Sequence, residues 1–190
     1  TGGITADGLT VNDTIRLDNE DTTVSANDIF GDIEFYDNDG GSAGAGVTAK
    51  IESSALNTYG ASNLNFYTSS SSGGARTALT QRMKIDGLGN VGIGTTPTNV
   101  LHVHQADATS NSYVHITQAD GGSAATDGLS IGIEDGGVNA VIRNRENGYL
   151  RMYTNNTERM RIDSSGNVLV GKTSANSNAA GIELHSNDLI

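Results

Sequence analysis

The thirteen residues Arg82-Met83-Lys84-Ile85-Asp86-Gly87-Leu88-Gly89-Asn90-Val91-Gly92-Ile93-Gly94 recur without a gap as Arg159-Met160-Arg161-Ile162-Asp163-Ser164-Ser165-Gly166-Asn167-Val168-Leu169-Val170-Gly171, with eight identities. Self-similarity of this kind constrains architecture before any single motif does, because each copy is one small unit that has to stack or pair with others. Each copy reads Met-x-Ile, five turn formers, then Val-x-(Ile/Val). Apolar residues at every second position mark a half-buried strand. A five-residue link ending in Gly-Asn is a hairpin loop, so Met83-Ile85 should pair antiparallel with Val91-Ile93, and Met160-Ile162 with Val168-Val170. Gly89 and Gly166 are the natural holders of positive φ there, since a Cβ would strain the backbone. Asp86 and Asp163 should accept backbone N–H groups within their own turns.

The same alternation runs along the whole chain. One set is Leu9-x-Val11, Ile15-x-Leu17, Ile33-x-Phe35, Val47-x-Ala49-x-Ile51, Leu64-x-Phe66, Met83-x-Ile85 and Val91-x-Ile93. The second is Leu101-x-Val103, Val114-x-Ile116, Leu129-x-Ile131-x-Ile133, Val138-x-Ala140-x-Ile142, Leu150-x-Met152, Met160-x-Ile162 and Val168-x-Val170. Gly, Asn and Asp clusters, among them Asp18 to Asp21 and Asp37 to Gly41, read as the intervening turns. Leu64 aligns with Leu150 and Met83 with Met160, so the first copy carries nine extra residues around Ser69 to Ala78, expected as a surface loop. Gly181-Ile182-Glu183-Leu184 reads as the opening of a third copy. The expected division is a first β-repeat over 1–98, a second over 99–175 and a truncated third over 176–190. Met83 and Met160, and Ile85 and Ile162, should occupy equivalent buried positions.

Composition says how such strands are stabilised. Leu, Ile, Val and Phe make up 40 of 190 residues, there is no Trp, and Ser, Thr and Asn make up 57. Two or three apolar side chains per strand cannot offset the entropy of ordering so many turns. The missing burial has to come from stacked repeats, from identical chains, or from both. The expected fold is therefore all-β, with short antiparallel strands and long turns in tandem repeats, in an elongated, intertwined homotrimer.

Several classes are excluded. No apolar run approaches the roughly 20 residues of a transmembrane helix. A net charge of −11 with no basic stripe suits neither nucleic acid nor membrane insertion. Zero cysteines leave no disulfide scaffold and no thiol chemistry. The chain starts at Thr1 and stops at Leu189-Ile190 inside a strand pattern, as a piece of a longer polypeptide would.

The stretch Arg-Met-(Lys/Arg)-Ile-Asp-x-x-Gly-Asn-Val-x-(Ile/Val)-Gly, followed by Thr95-Thr96-Pro97 and Leu101-His102-Val103, resembles the repeats of bacteriophage tail fibres, of the kind found in marine phages ahead of a self-cleaving chaperone domain. The resemblance implies a homotrimeric β-rich fibre on the virion, in contact with other tail proteins, reaching a host-surface glycan or protein. The second copy departs from the pattern, with Lys172-Thr173-Ser174 in place of Thr95-Thr96-Pro97.

Four motifs invite chemical readings. Gly166-Asn167-Val168-Leu169-Val170-Gly171-Lys172-Thr173 fits the phosphate-binding pattern GxxxxGK[ST], but that site needs a helix beginning at the Lys. Here the middle reads as a strand and Ser174 to Asn178 is a poor helix, so a strand ended by glycine is expected. His102-x-His104 could offer six imidazoles about a threefold axis. Leu101 and Val103 take the apolar face, so both histidines are expected in solvent; His115 and His185 stand without a constellation. Asp37-Asn38-Asp39-Gly40 starts like a calcium loop, but Gly41 takes the third ligand position and no Glu takes the twelfth, so a tight turn is expected. Tyr36, Tyr59, Tyr67, Tyr113, Tyr149 and Tyr153 could stack on sugars. In Phe35-Tyr36, Phe66-Tyr67 and Met152-Tyr153, the first member should go inward and the Tyr to an edge or a neighbouring chain.

No catalytic, cofactor or metal residues are expected, no enzyme activity is expected, and the ligand is unknown. The functional expectation is a structural segment of a trimeric phage tail fibre that contributes to host attachment by multivalent display. A bacterial extracellular adhesin or filament is the alternative. A polysaccharide-degrading spike, with a carboxylate pair too diffuse to place in sequence, is the third.

Overall fold

The computed structural model describes residues 14–17, 23–38, 44–72, 75–107, 109–176 and 178–186. Leu9-x-Val11, the Asp18 to Asp21 run, most of the Asp37 to Gly41 turn and Leu189-Ile190 lie outside them. The chain forms two compact units, Thr1–Ala106 and Asp107–Ile190.

The first unit holds β1 (Ile29–Asp37), β2 (Gly46–Ala55), β3 (Ser62–Thr68), β4 (Ser71–Ser72), β5 (Ala75–Arg76), β6 (Thr80–Ile85), β7 (Val91–Ile93) and β8 (Leu101–Val103). Six of these make one sheet in the order β1-β2-β3-β6-β7-β8. The nine-residue insertion is a ribbon of its own: β4 pairs with β5. Thr77 Oγ1 closes its base by donating to the Ser70 carbonyl and accepting the Ser70 N–H.

The second unit holds β9 (Ser112–Ile116), β10 (Leu129–Glu134), β11 (Asn139–Asn144), β12 (Leu150–Thr154), β13 (Thr157–Ile162), β14 (Val168–Val170) and β15 (Ile182–Leu184). These form a three-stranded sheet, β11-β10-β9, and a four-stranded sheet, β12-β13-β14-β15. Two short 3₁₀ turns, Ala119–Gly121 and Asp135–Gly137, complete it.

The expected hairpins are present in both copies. Met83 faces Ile93 and Ile85 faces Val91; Met160 faces Val170 and Ile162 faces Val168. Gly89 and Gly166 hold φ of 83° and 86°. Asp86 Oδ1 accepts the N–H groups of Leu88 and Asn90, and Asp163 Oδ1 those of Ser165 and Asn167, each at 2.9 Å. The preceding hairpins match as well, since Leu64 faces Ile85 as Leu150 faces Ile162, and Phe66 faces Met83 as Met152 faces Met160. The irregularity falls at the same step, between Phe66/Tyr67 and between Met152/Tyr153. There Arg82 Nε donates to Thr68 at 3.0 Å and Arg159 Nε to Thr154 at 2.8 Å. Met83, Ile85, Met160 and Ile162 are half-buried. Their positions are equivalent, as expected, but among the described residues no second layer covers them fully.

Strand pairing crosses both of the expected repeat boundaries. The division at 98/99 separates strands that are hydrogen bonded: β8, the expected start of the second copy, lies parallel to β7 within the first unit. Likewise β15, the expected start of a third copy, pairs with β14 and belongs to the second unit. In each case a three-residue strand completes the edge left by the Val-x-(Ile/Val) strand. One expectation needs correction: Ile15-x-Leu17 forms no strand.

The two copies also differ in how sheets join. β2 pairs with β3 through Ala49 to Ala55, whereas β11 stops at Asn144 and β12 begins a new sheet. The step from Ile142 to Leu150 is five residues shorter than that from Ile51 to Leu64, which removes the strand extension and wide turn used by the first copy. Arg145 is engaged elsewhere, its N–H bonded to the Gly128 carbonyl and its Nε to Ser130 Oγ at 3.3 Å.

Candidate assembly surface

Directly paired residues share a face of a sheet, so the registers sort every side chain. In the first unit Ile33, Ile51, Phe66, Met83, Ile93 and Val103 form one unbroken row across all six strands. Leu64, Ile85, Val91 and Leu101 run beside it. Leu17 lies against this apolar face at Gly31, but among the described residues much of it is left open: Ile33 is 51% exposed, Leu101 58% and Ile93 45%. Among the described residues only Ala55 and Leu169 are buried hydrophobic side chains.

The opposite face carries Asp32, Glu52, Asn65, Lys84, Gly92 and His102 in the same order. Here the buried residues are polar: Asn65 is 2% exposed, Asn63 4% and Glu52 6%. Glu52 is the hub. Its Oε2 takes Lys50 Nζ at 2.5 Å, and its Oε1 takes Tyr67 Oη at 3.0 Å and Asn65 Nδ2 at 3.3 Å. Asn65 also donates to Ser54 Oγ and accepts from Gln81 Nε2. Lys50 Nζ lies 5.1 Å from the centre of the Tyr67 ring. The bond to Glu52 raises the Lys50 pKa, and burial followed by the Glu52 bond raises that of Tyr67. Beside it Asn63 Oδ1 is buried without a hydrogen-bond partner among the described residues, but the linked Glu52, Asn65, Lys50 and Tyr67 groups stiffen the sheet and hold its register.

The second unit repeats the division. Val114, Ile131 and Ile142 form one apolar row and are 45%, 44% and 60% exposed. Leu150, Ile162, Val168 and Leu184 form another, with Met152, Met160, Val170 and Ile182 beside it. On the far face Glu134 accepts from Tyr113 Oη and from Arg143 Nη2, so its carboxyl titrates below its ordinary value, chiefly through the Tyr113 bond. Glu158 takes Arg161 in a two-pronged pair and Tyr153 Oη at 3.3 Å, and the Arg161 bond lowers it. The Arg161 guanidinium lies 4.6 Å from the Tyr149 ring centre, and Arg151 lies 5.7 Å from that of Tyr153. A shallow cleft of about 390 Å³ separates the two sheets, with Ile142, Leu150 and Ile162 among its walls.

The phosphate-site lookalike is a strand ended by glycine. β14 occupies residues 168–170, Gly171 turns at φ 73°, and residues 172–176 form no helix. The Lys172 side chain is 3% exposed and bonded to Glu183 and to the Asn176 carbonyl. That ion pair lowers the Glu183 carboxyl.

His102 and His104 stand with ring centres 6.1 Å apart. His104 is exposed, as expected; His102 is half-buried beside Gly92, with Nδ1 3.2 Å from Thr98 Oγ1. Among the described residues no group of three or more His, Asp or Glu is placed to hold a metal.

The pairing of inward and outward neighbours is not met within the chain. Phe35 is 51% exposed beside Tyr36 at 62%, and Met152 49% beside Tyr153 at 50%, because among the described residues nothing covers the apolar face at these positions. Tyr67 is drawn into the Glu52 network instead. That network escapes a reading of the sequence, since alternation separates two faces without saying which one is covered. Its one trace is the Asn63-x-Asn65-x-Tyr67 alternation, which is unusually poor in charge for a solvent face. No family model matches the chain, and no curated protein matches it. Among the described residues no helix is long and apolar enough to cross a membrane.

Proposed function

We propose that this chain is a structural segment of a homotrimeric phage tail fibre, displayed on the virion and contributing to host-surface attachment. The single observation that carries the reading is the continuous apolar face, from Ile33 through Met83 to Val103, exposed on a sheet whose polar face is the better buried. Burying the open halves of six such side chains against identical copies contributes on the order of 5 kcal/mol per chain. That is comparable to the whole stability of a small domain. The duplicated hairpins supply repetition along a fibre, and three copies of each exposed tyrosine supply avidity toward a glycan or protein on the host.

Light scattering on the chain tests the assembly: a trimer is expected, and a folded monomer overturns the reading. Immunogold labelling with an antibody to the chain tests the location. Label on phage tails supports the fibre, and label confined to a bacterial surface supports an adhesin instead.

A further inference from the structure

The four-stranded sheet of the second unit has two open edges, β12 on one side and β15 on the other, among the described residues. In the first copy the edge equivalent to β12 is covered: β2 pairs with β3 from Ala49 to Ala55. The same hairpin therefore takes a strand on this side when one is within reach, and in the second copy none is. We propose that β15 of one copy pairs antiparallel with β12 of the next, closing three copies of this sheet into a triangular prism of twelve strands. The proposal rests on the homotrimer above and assigns the edges that join it.

Three observations favour this partner. The first is direction. β12, β13, β14 and β15 alternate strictly, so under threefold rotation β15 meets the next β12 antiparallel and the ladder continues without reversal. The second is register. The rows Leu150-Ile162-Val168-Leu184 and Met152-Met160-Val170-Ile182 run straight across the sheet, so Leu184 meets the next Leu150 and Ile182 the next Met152. Each row becomes an apolar ring about the axis, which buries side chains now 49% exposed at Met152, 61% at Ile182 and 60% at Leu184. On the outer face the same register sets Glu183, already paired with Lys172, opposite Arg151, so no like charges meet at the seam.

The third observation is size. Strands about 4.8 Å apart make a four-stranded face about 19 Å wide. Three such faces form a prism whose walls stand about 5–6 Å from the axis, half the roughly 10 Å at which sheets pack face to face. Leu, Ile, Val and Met side chains fill that space. Two copies face to face would leave their edges about 10 Å apart, twice the spacing a ladder needs.

A disulfide tests the pairing, and the absence of native cysteine keeps the result clean. Ile182→Cys with Met152→Cys in the full chain should give a covalent trimer on oxidation, seen in non-reducing electrophoresis, with neither single variant doing so. Within one chain these residues sit on opposite edges, about 14 Å apart, beyond disulfide reach. A trimer by light scattering that forms no cross-link overturns the β15–β12 pairing and leaves the homotrimer standing. A covalent dimer overturns threefold closure, and a monomer overturns both readings. Hydrogen exchange on the unaltered chain covers the case in which the double variant does not fold. The amides of residues 150–154 and 182–184 that point away from β13 and β14 should be protected, and exchange at unfolded-chain rates in an intact trimer overturns the pairing.

Discussion

Leu169 occupies the place in β14 that Gly92 holds in β7, and the strands that follow run in opposite directions: β8 parallel to β7, β15 antiparallel to β14. Parallel neighbours usually need a crossover of a dozen residues or more. The seven residues between β7 and β8 suffice because they fold directly over Gly92. A Cβ there would lie 2.2 Å from the Thr95 carbonyl oxygen and 2.9 Å from Pro97. In the second copy the Leu169 side chain fills that space itself, 1% exposed, and the chain has to leave by another route.

Gly92→Leu should therefore expel the Thr95–Pro97 segment and release β8. Overpacking of this kind costs about 1–3 kcal/mol. The check is a lower Tm together with faster exchange of the Leu101–Val103 amides. The converse change, Leu169→Gly, should cost at least what truncating a buried Leu to Ala does, about 2–5 kcal/mol. A Gly92→Leu variant with unaltered β8 protection would show that the small residue does not select the parallel route.

Acid should weaken the fold through its turns. At Asp86, burial alone would raise the carboxyl, but hydrogen bonds from Asn90 and Leu88, with the nearby Lys84 charge, leave it below its ordinary value. At Asp163 the bonds from the Asn167 side chain and backbone dominate, and the result is also a lowering. With folded values below unfolded ones, the unfolded chain binds more protons below about pH 4. This stability is complete above that value and is lost as pH falls through the folded pKa values. The double variant Asp86→Asn, Asp163→Asn keeps an acceptor oxygen in each turn but no titration. Its Tm between pH 5 and 3 should fall less steeply than that of the unaltered chain, and equal slopes would remove the turns as the cause.

Lys172 is the letter-perfect lysine of a phosphate-binding pattern, yet it is structural. Lys172→Met should lower the Tm by stranding the Glu183 carboxylate, and adding Glu183→Met should recover part of the loss. ATP with magnesium should leave the Tm unchanged in the unaltered chain. A ligand-dependent rise in Tm would reopen the nucleotide reading.

These cases mark what sequence can carry. The Met83-Ile85 and Met160-Ile162 hairpins were legible because alternation, turn composition and a repeated glycine agree on one geometry. The direction of β8 was not, since it depends on whether a loop can lie over position 92, a contact between residues that no period encodes. The split after Asn144 turns on a five-residue shortening and on the commitment of Arg145 to Gly128 and Ser130, a contact visible only once the strands are laid side by side. Of the assembly surface, the face was legible and its exposure was not. Glu52, Asn65 and Tyr67 show why, because polar positions on an alternating strand read as solvent-facing until a network buries them.

The apolar face predicts a stability that depends on concentration. If Ile33, Ile131 and their rows stay open in solution, a charge at either site has little to disturb, since both are about half exposed in the chain. If identical copies cover them, an Asp there is carried into an apolar interface without a partner, at a cost of several kcal/mol per chain. Ile33→Asp and Ile131→Asp should then dissociate the assembly while leaving the Glu52 and Glu134 clusters on the far faces intact. The unaltered chain should show a Tm that rises with protein concentration, as folding coupled to association requires. Each variant should show a lower Tm that no longer depends on concentration, and light scattering should give the mass of one chain. Glu34→Gln, on the opposite face of the same strand, is the control and should leave both mass and concentration dependence unchanged. Variants that remain trimeric, with the Tm of the unaltered chain, would place the assembly contact elsewhere than on this face.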